Sequence, residues 1–353
     1  MTGRAGSGRR VTISDIAKRA GVSKGAVSYA LNGRPGLSDA TRARILEIAD
    51  ELGWHPNRAA RALSAARANA CGLVLARPAK TLAFEPFFME LIAGVEAELS
   101  ARSISLTIQL VDDVQEEVAI HRRWWAERRV DGVLVVDLRV DDPRVAELVR
   151  IGMPAVVVGG PPGDHALPAV WDDHAAVVEE VVRYLAALGH TRIGRVAGVP
   201  NFLSTRTRTA AFLRVTSELS LWSKVVATDF SPESGARSTR QLLSEPEPPT
   251  AIVYDSGVLG VTGLGVAHQM GFTVPDDVSI VAWDDSLVCQ VVHPPLTAVA
   301  RDIPAYGAQA AAHLLVAIDE DVREDVETPA GVLVPRASTG PAHRVASPRA
   351  RRR

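Results

Sequence analysis

A small all-α head followed by a larger α/β body is the fold class this sequence predicts, and three observations predict it. Within residues 11–53, three short helical patterns follow one another, each opened by a serine. From Cys71 onward, short β-branched runs alternate with amphipathic stretches, the pattern of parallel strands joined by crossover helices. The charge divides in the same place. Residues 1–68 carry 12 Lys and Arg against 5 Asp and Glu, a net of +7; residues 341–353 add five Arg and no acid; the 272 residues between them carry −14. A basic head on an acidic body suits a nucleic-acid-binding module joined to a domain that does not bind polyanions.

The head is read first. Ser14 is expected to cap a helix over 15–20, with Asp15 at the positive end of its dipole and Gly21 ending it. Ser23 caps a second segment with Val27, Ala30 and Leu31 on one face, and Asn32-Gly33-Arg34-Pro35-Gly36 breaks it. Ser38, followed by Asp39, caps a third helix whose stripe of Ile45, Ile48, Ala49 and Leu52 stops at Gly53. Gly21-Val22-Ser23 between two helices, with small Ala17 and Ala20 ahead of it, is helix-turn-helix chemistry. Small residues let the helices cross closely, and the turn needs a glycine-permissive backbone. The outer face of the second helix then carries Ser23, Lys24, Ala26, Ser28 and Tyr29, whose short polar groups permit close approach to a major groove. A three-helix domain that binds protein is the competing reading.

After His55-Pro56-Asn57 comes RAARALSAARANA, alanine-rich and without a broad apolar face. Its composition favours helix, but its length is marginal for a helix in water, so it folds only against a partner. The body's strand candidates are CGLVLA from Cys71, SLTIQL from Ser105, GVLVV from Gly132, PAVVVG from Pro154, IGRVAG from Ile193, TAIVYD from Thr250 and VSIVAW from Val278. Helical segments such as 87–101 and 175–188 separate them. Periodicity leaves open one large sheet or two smaller Rossmann-like lobes.

Composition bounds the rest. At 353 residues, 47% hydrophobic and 23% charged, the chain has apolar content for two or three domains, which excludes disordered and fibrous classes. It has no run of about 18 apolar residues, and MTGRAGSGRR lacks a secretory apolar stretch, so a soluble cytoplasmic protein is expected. Cys71 and Cys289 read as buried small hydrophobes rather than a disulfide. The nine histidines show no metal-ligand spacing, and GVLGVTGLG lacks the ending of a phosphate loop, so neither metal nor cofactor is expected. The Asp pairs at 112/113, 141/142, 172/173, 276/277 and 284/285 are mostly turn and cap residues by their neighbours rather than a glycosidase's two carboxylates, and no enzyme is expected.

The stretch from Val11 to Arg67, with VT-x-x-DIA-x-x-AGVS, VS-x-x-LN and PN-x-x-A-x-x-L, resembles the DNA-binding head and hinge of the lactose-repressor (LacI/GalR) family. ALGHTRIGRVAG from Ala187, the Arg206/Arg208 segment, VPDDVSIVAWDDS from Val274 and HPPLTAV from His293 resemble its effector domain. The resemblance implies a two-lobed, periplasmic-binding-protein-like body that dimerises and binds a small molecule between its lobes. The expected division is a basic arm over 1–10, a head over 11–54, a hinge helix over 55–69, a body over 70–340 and a basic tail over 341–353. Within the body, lobe 1 is expected over about 70–170 plus 297–327, and lobe 2 over about 171–296 plus 328–340.

The resemblance also names sites. On DNA it places Ser14, Ser23, Lys24, Gly25, Ala26, Ser28, Tyr29, Asn32, Ser38 and Thr41 of the head, and Asn57, Ala60 and Leu63 of the hinge, where the family inserts a leucine into the minor groove. Gly25 has no side chain to read a base, so Lys24 is expected to carry more of the readout by donating to guanine. Asp284 follows the run VSIVAW, at the strand end where open α/β folds place ligands, and a helix cap is its plainer role. The resemblance tips it, and Arg208, toward holding effector hydroxyls. It puts Phe87 and Phe88 at the same pocket, and Trp283 is expected beside it. The family's usual Asn-Asp pair after TAIVYD is here Ser256-Gly257, so Asp255 either turns inward as a substitute or caps the next helix, in a pocket that has gained room. The implied protein is a homodimeric regulator, most simply a repressor, of double-stranded, pseudo-palindromic operator DNA, with a sugar or oligosaccharide effector and no membrane partner. A sugar-binding protein or a carbohydrate-active enzyme built on the same body is the alternative.

Overall fold

The computed structural model describes residues 11–31, 33–54, 67–78, 85–160, 166–320 and 324–342, which fall into two compact units divided after Ala68. The expected arm 1–10, Asn32, the hinge over 55–66 with Asn57, Ala60 and Leu63, and the tail from 343 onward lie outside the described residues. Residues 67–69 of the expected hinge helix are not helical: Asn69 stands at φ 50°, and its carbonyl accepts the N–H of Ser105 at 3.0 Å.

The first unit holds α1 (Ile13–Ala20), α2 (Lys24–Leu31) and α3 (Asp39–Glu51). Ile16, Val27 and Ile45 are fully buried among Ala17, Ala20, Ala30 and Ala49, so small side chains let three short helices share one core. Gly21 takes the left-handed conformation at φ 65° and ends α1. One sequence expectation fails here. Helix α1 starts upstream of Ser14, at Thr12, because the Asp15 carboxylate accepts both the Thr12 N–H (2.9 Å) and its hydroxyl (2.6 Å). Ser14 is an exposed residue of the first turn. Ser23 and Ser38 do cap, accepting from Ala26 N–H at 3.1 Å and Thr41 N–H at 3.3 Å.

The second unit contains two six-stranded sheets. The first is built from β1 (Ala70–Ala76), β2 (Ser105–Val111), β3 (Gly132–Val135), β4 (Ala155–Val158), β5 (Ala169–Trp171) and β11 (Val326–Glu327), in the order β11-β5-β4-β3-β1-β2, all parallel. The second is built from β6 (Arg192–Ala197), β7 (Trp222–Ala227), β8 (Ala251–Tyr254), β9 (Ser279–Trp283), β10 (Thr297–Ala300) and β12 (Val332–Val334). Its order is β12-β10-β9-β8-β6-β7, with only β12 antiparallel. The sequence left one sheet or two open; the pairing gives two. Both sheets repeat one strand order.

Helices α4 (Pro86–Ser100), α5 (Val114–Ala126) and α6 (Pro143–Ile151) belong to the first lobe; α7 (His174–Ala187), α8 (Leu203–Glu218), α9 (Pro232–Leu243), α10 (Gly257–Gln269) and α11 (Leu287–Val291) to the second. The chain then returns to the first lobe in α12 (Ile303–Asp319), which packs on α4 along a seam of glycines. A Cβ on Gly94 would stand 1.9 Å from the Pro304 carbonyl oxygen, and one on Gly307 2.3 Å from that of Leu91. Leu73, Leu91, Leu99, Leu134 and Leu314 fill the core beneath, while two clusters cover the two faces of the second sheet.

Three crossings join the lobes, at 172–173, 301–302 and 328–331. The expected lobe boundary at 297 is therefore corrected. Strand β10 lies parallel to β9, with Val299 opposite Trp283, so 297–300 belongs to the second lobe and the chain leaves it only at Arg301. Away from the crossings the lobes also meet through backbone: Val140 N–H donates to Asn201 O at 3.0 Å and Leu203 N–H to Leu138 O at 2.8 Å.

Candidate functional site

The two sheets point the carboxyl ends of their central strands toward each other, the position at which open α/β sheets offer a binding crevice. A cleft of about 730 Å³, measured out to its open mouth, lies there. Its charged groups arrive from strand ends and helix starts: Arg77 after β1, Asp137 after β3, Asp255 after β8, Asp284 after β9, Glu85 capping α4 and Arg208 on α8.

Asp284 follows β9 directly, as its sequence position predicts. Left-handed at φ 65°, it turns its carboxylate into the cleft, where Oδ1 accepts Arg301 Nη2 at 2.6 Å and Nε at 3.0 Å. Arg301 lies on the second crossing and also reaches Asp172 of the first crossing, at 3.4 Å. Burial works against the Arg301 charge, yet Asp284 and Asp172 hold its pKa above the ordinary guanidinium value. One ion cluster thus ties a cleft carboxylate to two of the three segments about which the lobes can swing.

Arg208 is different in kind. It is buried against the Trp283 ring, 4.1 Å from its centroid, and its hydrogen bonds are long: 3.4 Å to His174 Nδ1 and 3.4 Å to the Asp255 carbonyl. Burial pulls its pKa down to about 10, against the attraction of Asp255. Among the cleft's arginines it is the one with no close carboxylate, the nearest being Asp255 Oδ1 at 3.9 Å. Burial and then the Arg208 charge lower His174, whose Nε2 lies 3.0 Å from Asp172, so that imidazole stays neutral at pH 7.

Three expectations about the effector site are corrected. Asp255 neither caps the next helix nor offers a free carboxylate. It takes Arg195 of β6 through contacts of 2.6 and 2.8 Å and the Gly198 N–H at 2.9 Å, and its pKa falls despite full burial because Arg195 sits beside it. Ser256 caps α10 instead, accepting Leu259 N–H at 3.3 Å. Trp283 does not line the cleft: it is 1% exposed, in the second lobe's core, and serves as the floor under Arg208. Nor does Gly257 leave room in the pocket. A Cβ there would meet Ser286 Oγ at 2.8 Å and Cys289 Sγ at 2.9 Å, so the turn into α11 occupies the vacated space. Phe87 lines the cleft half-buried; Phe88 is a core residue that shows the cleft one edge.

Sequence reasoning missed the other end of the cleft. Arg77 holds Asp137 with two bonds, 2.7 and 2.9 Å, and its guanidinium is surrounded by Phe88, Phe202 and Phe230 at 5.3, 4.9 and 4.8 Å. Phe202 and Phe230 belong to the second lobe and stack at 6.5 Å, so a first-lobe cation rests on second-lobe rings. Behind it, fully buried Arg144 fixes the carbonyls of Val136 and Asp137 at 3.0 Å each and binds Glu117 and Asp142, which sets the left-handed Asp137 in place. Burial, then the charge of Asp284, lifts Glu85 to about 7. Only an arginine ending an apolar run, as in LARP, hinted at any of this.

In the head, Ser23, Lys24 and Gly25 are exposed at the start of α2 with Ala26 and Ser28 half-buried beside them, and Tyr29 is 44% exposed at its far end. The described candidates thus share one surface. Ser38 and half-buried Thr41 sit at the start of α3, where each serves the other's hydroxyl at 2.8 Å.

Residues 12–57 match the family model for bacterial regulatory proteins of the lacI family, and residues 182–339 that for a periplasmic binding protein-like domain. The HTH-type transcriptional regulator AglR of Rhizobium meliloti (strain 1021) is 33% identical over 344 residues, covering 94% of this chain and 95% of that protein. The chain belongs to the LacI family. Like its relatives, this LacI-family member is a DNA-binding transcriptional regulator with a two-lobed body. A solved transcriptional regulator CelR-cellobiose complex is 29% identical, with a TM-score of 0.71 over 93% of this chain and all of that one. The lac repressor dimer bound to operator and anti-inducer, 24% identical, shares the fold at a TM-score of 0.84 over 94% of this chain. No helix among the described residues is long and apolar enough to cross a membrane.

Proposed function

We propose that this regulator is a cytoplasmic, homodimeric repressor of a pseudo-palindromic operator, without enzymatic activity, and that a neutral carbohydrate bound between the lobes sets its affinity for DNA. Arg208 carries this reading. A buried guanidinium with only long bonds is a donor set aside for a ligand, because a well-placed hydroxyl gains a charge-assisted bond there without displacing a protein partner. The charges around it nearly cancel: Arg77, Arg195, Arg208 and Arg301 face Asp137, Asp172, Asp255 and Asp284, with Glu85, lifted to about 7, as one partly ionised acid more, which favours an uncharged polyol over an acid. Cellobiose in the CelR complex is a ligand of that chemistry. Asp137, Asp255 and Asp284 each hold an arginine, so Glu85, lifted to about 7, finds among them no free carboxylate to act with it as a glycosidase's second acid does.

Dimerisation is supported by apolar side chains that the body leaves in water, Met89 on α4 and Leu287 and Val291 on α11, each more than 60% exposed. On DNA, the start of α2 supplies the readout: Lys24 donates to guanine, Ser23, Gly25, Ala26, Ser28 and Tyr29 fit the groove around it, and Ser14, Ser38 and Thr41 position the head on phosphates. Asn32, Asn57, Ala60 and Leu63 complete the set, with Leu63 as the minor-groove wedge. The test is a gel shift with genomic fragments, with and without a sugar panel. A sugar should change the shift of one fragment in the wild type and leave Arg208→Ala unresponsive, while both bind that fragment equally without sugar. A sugar response that survives Arg208→Ala would remove Arg208 from the effector site.

A further inference from the structure

The three crossings lie toward one edge of each sheet, at β5 and β11 in the first lobe and at β10 and β12 in the second. The lobes meet again further in, two strands beyond β5 and three beyond β10, where the segment after β3 reaches the segment after β6. There Arg139 and Phe202 form an antiparallel bridge. The Val140 N–H donates to Asn201 O at 3.0 Å on one side of it, and the Leu203 N–H donates to Leu138 O at 2.8 Å on the other. Phe202, 4% exposed, also has two first-lobe guanidiniums against its ring, Arg77 at 4.9 Å and Arg139 at 5.4 Å.

Each half of this contact takes its shape from its own lobe. In the first, the left-handed residues Asp137 (φ 53°) and Asp141 (φ 51°) bracket the segment. Arg144 holds the carbonyls of Val136 and Asp137 from behind, and the Asp142 carboxylate accepts the Arg139 N–H at 2.9 Å. In the second, the Phe202 N–H donates to Val199 O at 3.1 Å, and Phe202 is the N-cap residue of α8, the helix that carries Arg208. Two short edges prepared in this way lose little further conformational freedom when they meet, so little is set against the hydrogen bonds they form. Both bonds run directly from backbone to backbone, and neither needs an effector atom to complete it.

We propose that 138–140 and 201–203 are a clasp at the border of the cleft that holds the lobes together with no effector bound, so that opening to admit an effector must first break it. The inference is independent of the effector's chemistry. The test is amide hydrogen exchange at single-residue resolution on the full chain without sugar. In the wild type the Val140 amide should exchange on the order of tenfold or more slower than an unbonded loop amide. Leu203→Pro deletes the donor to Leu138 at a place that suits proline, because Leu203 is the first residue of α8 and Phe202 before it is already extended at ψ 133°. Leu203→Ala trims the same side chain and keeps the donor. Exchange at Val140, whose own bond neither variant touches, should be about fivefold faster in Leu203→Pro than in Leu203→Ala, the worth of one net hydrogen bond. Wild-type Val140 exchanging at the unbonded rate, or equal rates in the two variants, overturns the clasp. Should Leu203→Pro unfold the second lobe, seen as lost protection throughout β6, Val140→Pro against Val140→Ala puts the same question to the Leu203 amide, with the same two outcomes.

Discussion

Asp284 and Arg301 hold each other so closely that neither acts alone in the cleft. Removing the arginine frees a carboxylate to swing away from the ligand and uncouples it from Asp172 on the first crossing. Arg301→Ala is therefore expected to weaken effector binding about as much as Asp284→Ala, on the order of tenfold or more, measured by calorimetry. Full affinity in Arg301→Ala would mean that Asp284 needs no such support. Glu85 gives a second expectation at this scale, with a defined sign. Its folded pKa of about 7 lies above the reference 4.5, so the stability linked to it is present below pH 4.5 and is lost as pH rises through 7. Glu85→Gln should gain on wild type across that window by up to about 3 kcal/mol in urea denaturation. The variant keeps a slope of its own, because Glu117 is also raised to about 7 by burial. Parallel pH profiles for the two proteins would rule out the shift. Why some site residues could be read from the sequence and others could not is also a matter of residues. Asp284 was legible because a local signal, the end of an apolar run, fixes where it sits. Asp255 carries the same signal and misleads, because its partner Arg195 lies 60 positions away on the neighbouring strand. Arg77 gave only the hint of an arginine ending an apolar run, and Asp137 and Arg301 gave none, since the pairing of β1 with β3 and the crossing at 301 bring them to their partners.

At the scale of elements, the legible strands are the buried ones. The seven apolar runs from Cys71 to Val278 became β1 to β4, β6, β8 and β9, most of them interior to their sheets. The strands that went unread are mostly edges or fragments: β7 carries Trp222, Ser223 and Lys224 half-exposed, β5, β11 and β12 have three residues or fewer, and β10, though buried inside its sheet, has only four. Such segments become strands because a neighbour's ladder is waiting, which no local pattern encodes. Helix packing offers a sharper test. The crossing of α4 and α12 leaves no space for a methyl group at Gly94, so Gly94→Ala is expected to cost about 1–3 kcal/mol or more in thermal unfolding of the body. A neutral result would show that the helices can part without loss. In the head, if Lys24 reads a base, Lys24→Ala should reduce binding to some operator variants far more than others; a uniform loss would make it a phosphate contact.

The whole molecule is two units of unequal size, and the smaller has little core to spare. Ile45 is one of seven buried apolar residues in the head's core, and Ile45→Ala is expected to cost about 2–5 kcal/mol, enough to unfold so small a domain. Operator binding should disappear in the gel shift while sugar binding by calorimetry is unchanged; loss of both would mean that the units do not fold independently. The body obeys a different rule. Its three crossings leave each lobe unfinished until the far end of the chain returns, with β11 completing the first sheet and β12 the second. During synthesis the head can therefore be folded and able to meet DNA while both lobes still lack an edge strand, and the short segment 326–334 leaves the ribosome carrying a piece of each. A frameshift or stop codon late in the reading frame removes both edges together. Its product is a head without a working sensor, and its expected phenotype is loss of sugar control rather than a mild loss of stability.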